Sequence, residues 1–145
     1  MLTKTLLNLT KNTMLPVWLF IMVFSSGKLI AQKQTPEWVP PSAIAIKNPV
    51  LSTPESLKAI KTTYVTYCSP CHGEKGRGDG VAAATLAVRP ADHSGPAVQK
   101  QTDGALFYEL SEGHNPMPAY KASLTETQRW QLINYIRTLA KTSKK

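Results

Sequence analysis

The chain has 145 residues, a formal net charge of +8 and only two cysteines. That length suits one domain behind a leader, and two cysteines cannot build a disulfide-rich scaffold. No basic cluster interleaved with aromatics is present, which argues against nucleic acid as a partner.

Residues 1–31 read as a secretory leader. Lys4 and Lys11 make a basic start, Met14–Phe24 is an apolar run broken only by Pro16, and Ser25, Ser26, Gly27 and Ala31 follow as small or polar residues. The run is short for a membrane span, which needs about 20 residues. Cleavage after Gly27 or Ala31 is the expectation, giving a periplasmic or otherwise extracytoplasmic protein; an uncleaved tether through residues 14–24 is the alternative. No cysteine stands there for lipid attachment. Loss of Lys4, Lys11 and Lys28 lowers the formal charge from +8 to +5. Such a mildly basic domain is steered toward an acidic patch on a partner at low salt.

Residues 32–52 form a proline-rich arm, with Pro36, Pro40, Pro41 and Pro49. This density of proline predicts an extended segment without regular helix. Trp38, Val39, Ile44, Ile46, Val50 and Leu51 make the arm too apolar for a linker, so it is expected to lie across the domain with Trp38 as its anchor.

The domain proper, residues 53–141, opens on a helix. Thr53 suits the N-cap, Pro54 the first helical position and Glu55 the positive end of the dipole. Leu57, Ile60, Tyr64 and Tyr67 then fall on one stripe. The helix delivers Cys68, and Pro70 and Gly73 stop it. Residues 73–80 are glycine-rich but lack the Gly-Lys-Ser/Thr ending of a phosphate loop. Their expected use is tight backbone where side chains would collide with a flat cofactor. Val81–Val88 predicts a short apolar helix or turn. A helix fits Asp103–Glu112, with Asp103 as its cap, Leu106, Phe107 and Leu110 on its apolar face and Gly113 as its stop. The last helix fits Glu126–Ala140, where Thr125 and Gln128 make a capping box and Leu132, Tyr135, Ile136 and Leu139 a stripe widened by Trp130 and Ile133. Lys141 and the basic residues 142–145 read as a soluble tail. No strand pattern appears, so the domain is expected to be all-α.

The chemistry sits in Cys68-Ser69-Pro70-Cys71-His72. Cys-x-x-Cys-His is the attachment signature of c-type haem. On a helical turn, residues three apart share a face about 4.5 Å apart along the axis, so both thiols can reach porphyrin vinyl groups while His72 turns to the iron. Half a zinc site would need a second ligand pair, and His93 and His114 stand 21 residues apart. A thioredoxin-like pair would need a βαβ context. Without haem, an exported cysteine pair would tend toward a disulfide.

The iron has a second face. Met1, Met14 and Met22 belong to the leader, which leaves Met117, in Asn115-Pro116-Met117-Pro118-Ala119-Tyr120, as the one methionine of the mature chain. Core filling is the ordinary use of methionine. A loop position between two prolines points instead to a soft axial ligand. His114 and His93 are the competing ligands and otherwise read as surface groups.

With these residues in place the chain resembles the mono-haem class I cytochromes c of bacteria. The resemblance runs through Cys68–Gly73 with Gly76, Gly78, Asp79 and Gly80, then Thr102–Phe107, Met117–Tyr120 and Arg129–Arg137, and covers roughly Ser52–Lys141. It implies a cytochrome c fold of three to five short helices around one covalent haem c. It also implies thioether bonds at Cys68 and Cys71 and axial ligation by His72 and Met117. The Pro90 carbonyl would take a hydrogen bond from His72, the first and last helices would cross near Tyr64 and Tyr135, and Trp130 would pack near the haem edge. Arg89, where many members have a small residue, offers a guanidinium for a propionate. The implied function is one-electron transfer between redox proteins, Fe(III) to Fe(II), without enzymatic activity. The alternatives are a haem subunit docked permanently in a membrane-associated oxidase or dehydrogenase complex, with the arm as docking element, and a ligand-binding sensor or peroxidase.

Overall fold

The computed structural model describes residues 35–141. The expectations for the leader and for the tail 142–145 lie outside those residues. Six α-helices and one 3-10 turn, Ala83–Thr85, occur among the described residues, and no strand. Three helices are single turns: α1 (Pro41–Ile44), α3 (Ser69–His72) and α4 (Pro96–Gln99). The longer ones are α2 (Pro54–Tyr67), α5 (Asp103–Glu112) and α6 (Glu126–Thr138). No described helix is long and apolar enough to cross a membrane.

α2 begins as its residues dictate: Thr53 accepts from Ser56 N, Ser56 answers Thr53 N, and Pro54 opens the first turn. Ile60 and Tyr64 turn into the core, while Tyr67, expected on the same stripe, is exposed. α6 starts at the Thr125–Gln128 capping box and buries Trp130, Leu132, Ile133 and Ile136. The two helices pack together, with the rings of Tyr64 and Tyr135 4.9 Å apart. α5 packs against α6 and adds Leu106 and Leu110 to the same core. Its cap is Thr102, which accepts from Ala105 N, and not Asp103. Asp103 instead accepts from Arg137 Nε and Nη2 at 2.9 and 2.7 Å. Arg137 also donates to the carbonyls of Gln99 and Gln101, so one guanidinium ties α4, α5 and α6. Lys141, expected in the loose tail, pairs with Asp92 at 2.8 Å.

The arm departs from a purely extended segment. Pro40 is the N-cap and Pro41 the first residue of α1. Proline is tolerated there because the first-turn N–H groups have no helical partner and its φ is already set. α1 packs on α5, where Val39, Ala43 and Ala105 form a second small core. The approach depends on Gly104: a Cβ there would lie 2.6 Å from Ile46 O and would overlap Ala43 O. Further along, Asn48 donates to Trp130 O and Asn134 Oδ1, and Asn134 donates back to Val50 O. These bonds fasten the arm to α6.

Candidate haem site

α2 ends at Cys68, which serves both as its C-cap and as the N-cap of α3. Pro70 suits the start of that new turn, and the backbone N–H groups of Cys71 and His72 bond to Cys68 O at 3.2 and 2.8 Å. The motif is therefore one helical turn, closed by Gly73 at φ 78°. The glycine-rich loop folds back onto it, with Gly78 N on His72 O and Gly80 N on Cys71 O. At two of its glycines the neighbour that a side chain would strike is protein backbone. A Cβ on Gly78, whose φ is 69°, would strike Pro90 O, and one on Gly80 would strike the carbonyls of Ser69 and Pro70.

His72 Nδ1 lies 2.9 Å from Ala91 O. The expected acceptor was the Pro90 carbonyl. That carbonyl faces Gly78 instead, and the next residue supplies the bond. A carbonyl only accepts, so Nδ1 carries the proton and Nε2 keeps a bare lone pair. Burial holds the imidazole below its usual pKa, against the opposing pull of the Ala91 bond.

His93 is the main residue that sequence reasoning misplaced. It is buried rather than at the surface. Its ring stacks on that of His72 with centroids 3.9 Å apart and planes at 17°. Its Nδ1 lies 3.1 Å from Tyr64 OH, which donates to Gly73 O. Tyrosine has one hydroxyl hydrogen, so His93 must donate to it. Burial, then the neighbouring His72, push the His93 pKa down to about 3. A neutral ring is thus locked flat against His72.

Met117 sits where the loop after α5 closes on itself: its N–H bonds to His114 O at 2.8 Å and His114 N–H returns to Met117 O at 3.0 Å. Tyr120 anchors the far end, through its N–H to Leu110 O and its hydroxyl to Tyr67 O. His114 remains exposed, its ring stacked on Trp38 of the arm. Trp38 also meets Tyr108, which bears out its reading as the anchor of the arm.

Cys68, Cys71, His72, Pro90 and Met117 all line one cavity of about 300 Å³. Val98, Leu106, Leu110, Leu132 and Ile136 give it aliphatic walls, and Trp38, Arg89 and His114 also line it. Cys68 and Cys71 are free, and burial, then the neighbouring Cys71, push the Cys68 thiol up to about 12. Trp130 does not belong to this wall. It is buried between α5 and α6, stacked on Phe107 at 3.8 Å, with its indole N–H unpartnered. Two thiols on one turn, an imidazole with a free Nε2 and a thioether share an apolar cavity, a donor set that fits haem.

Sequence reasoning passed over Glu109. It lines the cavity, and its Oε1 is buried without a partner. The signal was available: Glu109 stands between Leu106 and Leu110 at helical spacing, a carboxyl on an apolar stripe.

The family described as "Cytochrome C oxidase, cbb3-type, subunit III" matches residues 55–136. Among solved structures, a chain of the "Kuenenia stuttgartiensis reducing HAO-like protein complex Kustc0457/Kustc0458" is 27% identical with a TM-score of 0.58. The alignment covers 68% of this chain and 49% of that one, so this chain spans about half the length of that relative. "KustC0563 c-type cytochrome" is 24% identical with a TM-score of 0.49, covering 56% of this chain and 96% of that one. No curated protein matches.

Proposed function

Since the chain belongs to the cbb3-type cytochrome c oxidase subunit III family, a c-type cytochrome domain that carries haem c covalently, we propose that it is an extracytoplasmic one-electron carrier between redox proteins, with no reaction of its own. Its all-α fold is the cytochrome c fold. The bound haem supplies the Fe(III)/Fe(II) couple. Cys68 and Cys71 would hold the haem by thioether bonds, and His72 Nε2 and Met117 Sδ would ligate its iron. Ala91 fixes the tautomer and direction of His72, raising its basicity as a ligand, while His93 limits its rotation. The aliphatic walls keep water from the metal. With both sides of the iron taken by His72 and Met117, the site would change little between oxidation states and would leave no position for a substrate. The observation that carries this reading is the convergence of Cys68, Cys71, His72 and Met117 on one cavity.

Protein matured with a haem-ligation apparatus should give a pyridine haemochrome spectrum of one haem c per chain, and its reduced form should not bind carbon monoxide. Colourless protein, or ready carbon monoxide binding, would refute the carrier reading.

A permanent place in a larger complex is the second reading. It is favoured by the family's description as an oxidase subunit and by exposed apolar residues, with Val88 of the cavity wall 61% exposed and Val81 of the glycine-loop side 93%. The arm is a poor docking element, because Trp38 is already committed to Tyr108 and His114. Size exclusion of native extract separates a free carrier from a subunit.

A further inference from the structure

We infer that Glu109 is a proton-binding site coupled to the redox state of the haem: its carboxylate takes up a proton when the domain is reduced and releases it on oxidation. This rests on the haem reading above and extends it from electron transfer to coupled transfer of an electron and a proton.

The argument starts from an incomplete hydrogen-bond account. Glu109 Oε1 is buried in the cavity wall and has no partner. The side chain of Gln101 reaches Glu109, yet Gln101 Oε1 is also buried without a donor. Glu109 Oε1 is thus a buried acceptor with no donor, and a proton on the carboxyl removes the charge that burial penalises. A bare carboxylate in that position bears the full cost of desolvation. Burial raises the Glu109 pKa to about 7, against a smaller lowering by Gln101. A group poised there changes its proton occupancy in response to one nearby unit charge.

No ion pair fixes Glu109 in either state among the described residues. On its own helix, Asp103 is paired with Arg137 and Glu112 with Lys121, and Tyr108 packs against Trp38. On α6, Arg129 donates to Ser111 and lies over Phe107, while Glu126 is exposed. α1 carries no titratable side chain, and the flanking Glu37 and Lys47 are exposed. The remaining titratable groups of the cavity are His72, His93 and His114, the thiols of Cys68 and Cys71, Tyr67, Tyr120 and Arg89. Cys68 and Cys71 are consumed by attachment and His72 by ligation. Among the described residues, Glu109 is thus the one carboxyl of the cavity wall.

The sign follows from charge. Ferric iron carries one more positive charge than ferrous iron, and a positive charge nearby favours the carboxylate. On reduction, one electron arrives from the donor protein and one proton from solvent joins Glu109, leaving the net charge of the cavity unchanged. Oxidation reverses both. The reduction potential must then fall with rising pH between the two pKa values of Glu109 and flatten on either side.

The test is a spectroelectrochemical titration of the haem-loaded protein between about pH 5 and pH 9. In the wild type, the reduction constant should fall by up to about tenfold per pH unit around neutrality, which is about 59 mV for a one-electron couple. Glu109→Gln keeps the shape but cannot ionise, and should abolish that step. Redox-difference infrared spectra of the wild type provide a measurement that needs no variant. Reduction should add the carbonyl band of a protonated carboxyl, and that band should move on labelling with ¹³C-glutamate. A slope that survives in Glu109→Gln, a flat wild type, or a band unmoved by the label overturns the inference while leaving the haem reading intact. Failure of that reading shows separately, as protein without haem c.

Discussion

Gly104→Ala isolates the contact that seats the arm. In an open helix, replacing glycine by alanine gains about 1 kcal/mol. Here the new Cβ would lie 2.6 Å from Ile46 O and inside the radius of Ala43 O. Both obstacles are backbone, so neither can swing aside as a side chain would. Overpacking of this kind typically costs about 1–3 kcal/mol. Moving the arm away instead uncovers Val39, which is 2% exposed, together with Ala43 and Ala105; fully exposing a valine alone costs about 1.5–3 kcal/mol. Set against the helical gain, either route leaves a net loss of up to about 2 kcal/mol. For a domain of this size each kcal/mol lowers Tm by about 4–8 °C. Thermal melts of haem-loaded protein should show that drop, and limited proteolysis should cut faster within residues 35–50. A variant that melts at the wild-type temperature or above would refute the claim that Gly104 is fixed by this approach.

Met117→Ala should lower the reduction potential, remove the sulfur-to-iron charge-transfer band and open the reduced protein to carbon monoxide; a retained band would exclude Met117 as ligand. Arg137→Lys keeps the charge but cannot reach Asp103 and the carbonyls of Gln99 and Gln101 together. A loss of about 1–3 kcal/mol in denaturant melts is expected. His93 should make the fold acid-sensitive. Its folded pKa of about 3 lies below the ordinary value of about 6.5. Its contribution is therefore complete above the unfolded pKa and is lost as pH falls toward the folded one. Denaturant midpoints measured across that window should decline in the wild type and less in His93→Phe.

The helices that decide the fold were legible because their signals are local. Thr53-Pro54, Thr125 with Gln128, and the stripe through Ile60 and Tyr64 need no tertiary context, and the Cys68–His72 motif and Met117 stood out as residues that the fold brings to one cavity. What escaped reading depends on burial set by distant segments. His93 looked like a loop histidine because nothing near it in sequence reveals that Tyr64 and His72 enclose it. The acceptor for His72 was misread by one residue, because the position of a carbonyl is decided by how Gly78 presses on Pro90. α4 was missed although Gly95-Pro96 is a usable start signal, since a single turn has too few residues to show periodicity. Glu109 is a different case: an acid on the same face as Leu106 and Leu110 is visible locally, but its burial in the cavity wall is not.

The buried junction at Cys68 orders events in the life of the chain. Thioether formation requires a thiol that can be reached and activated. Once α2 is seated on α6, Cys68 is 6% exposed and its proton is held up to about pH 12. The finished fold is thus a poor acceptor for the very group it is shaped to contain. Covalent loading is therefore expected on the open polypeptide, before the helices close over it.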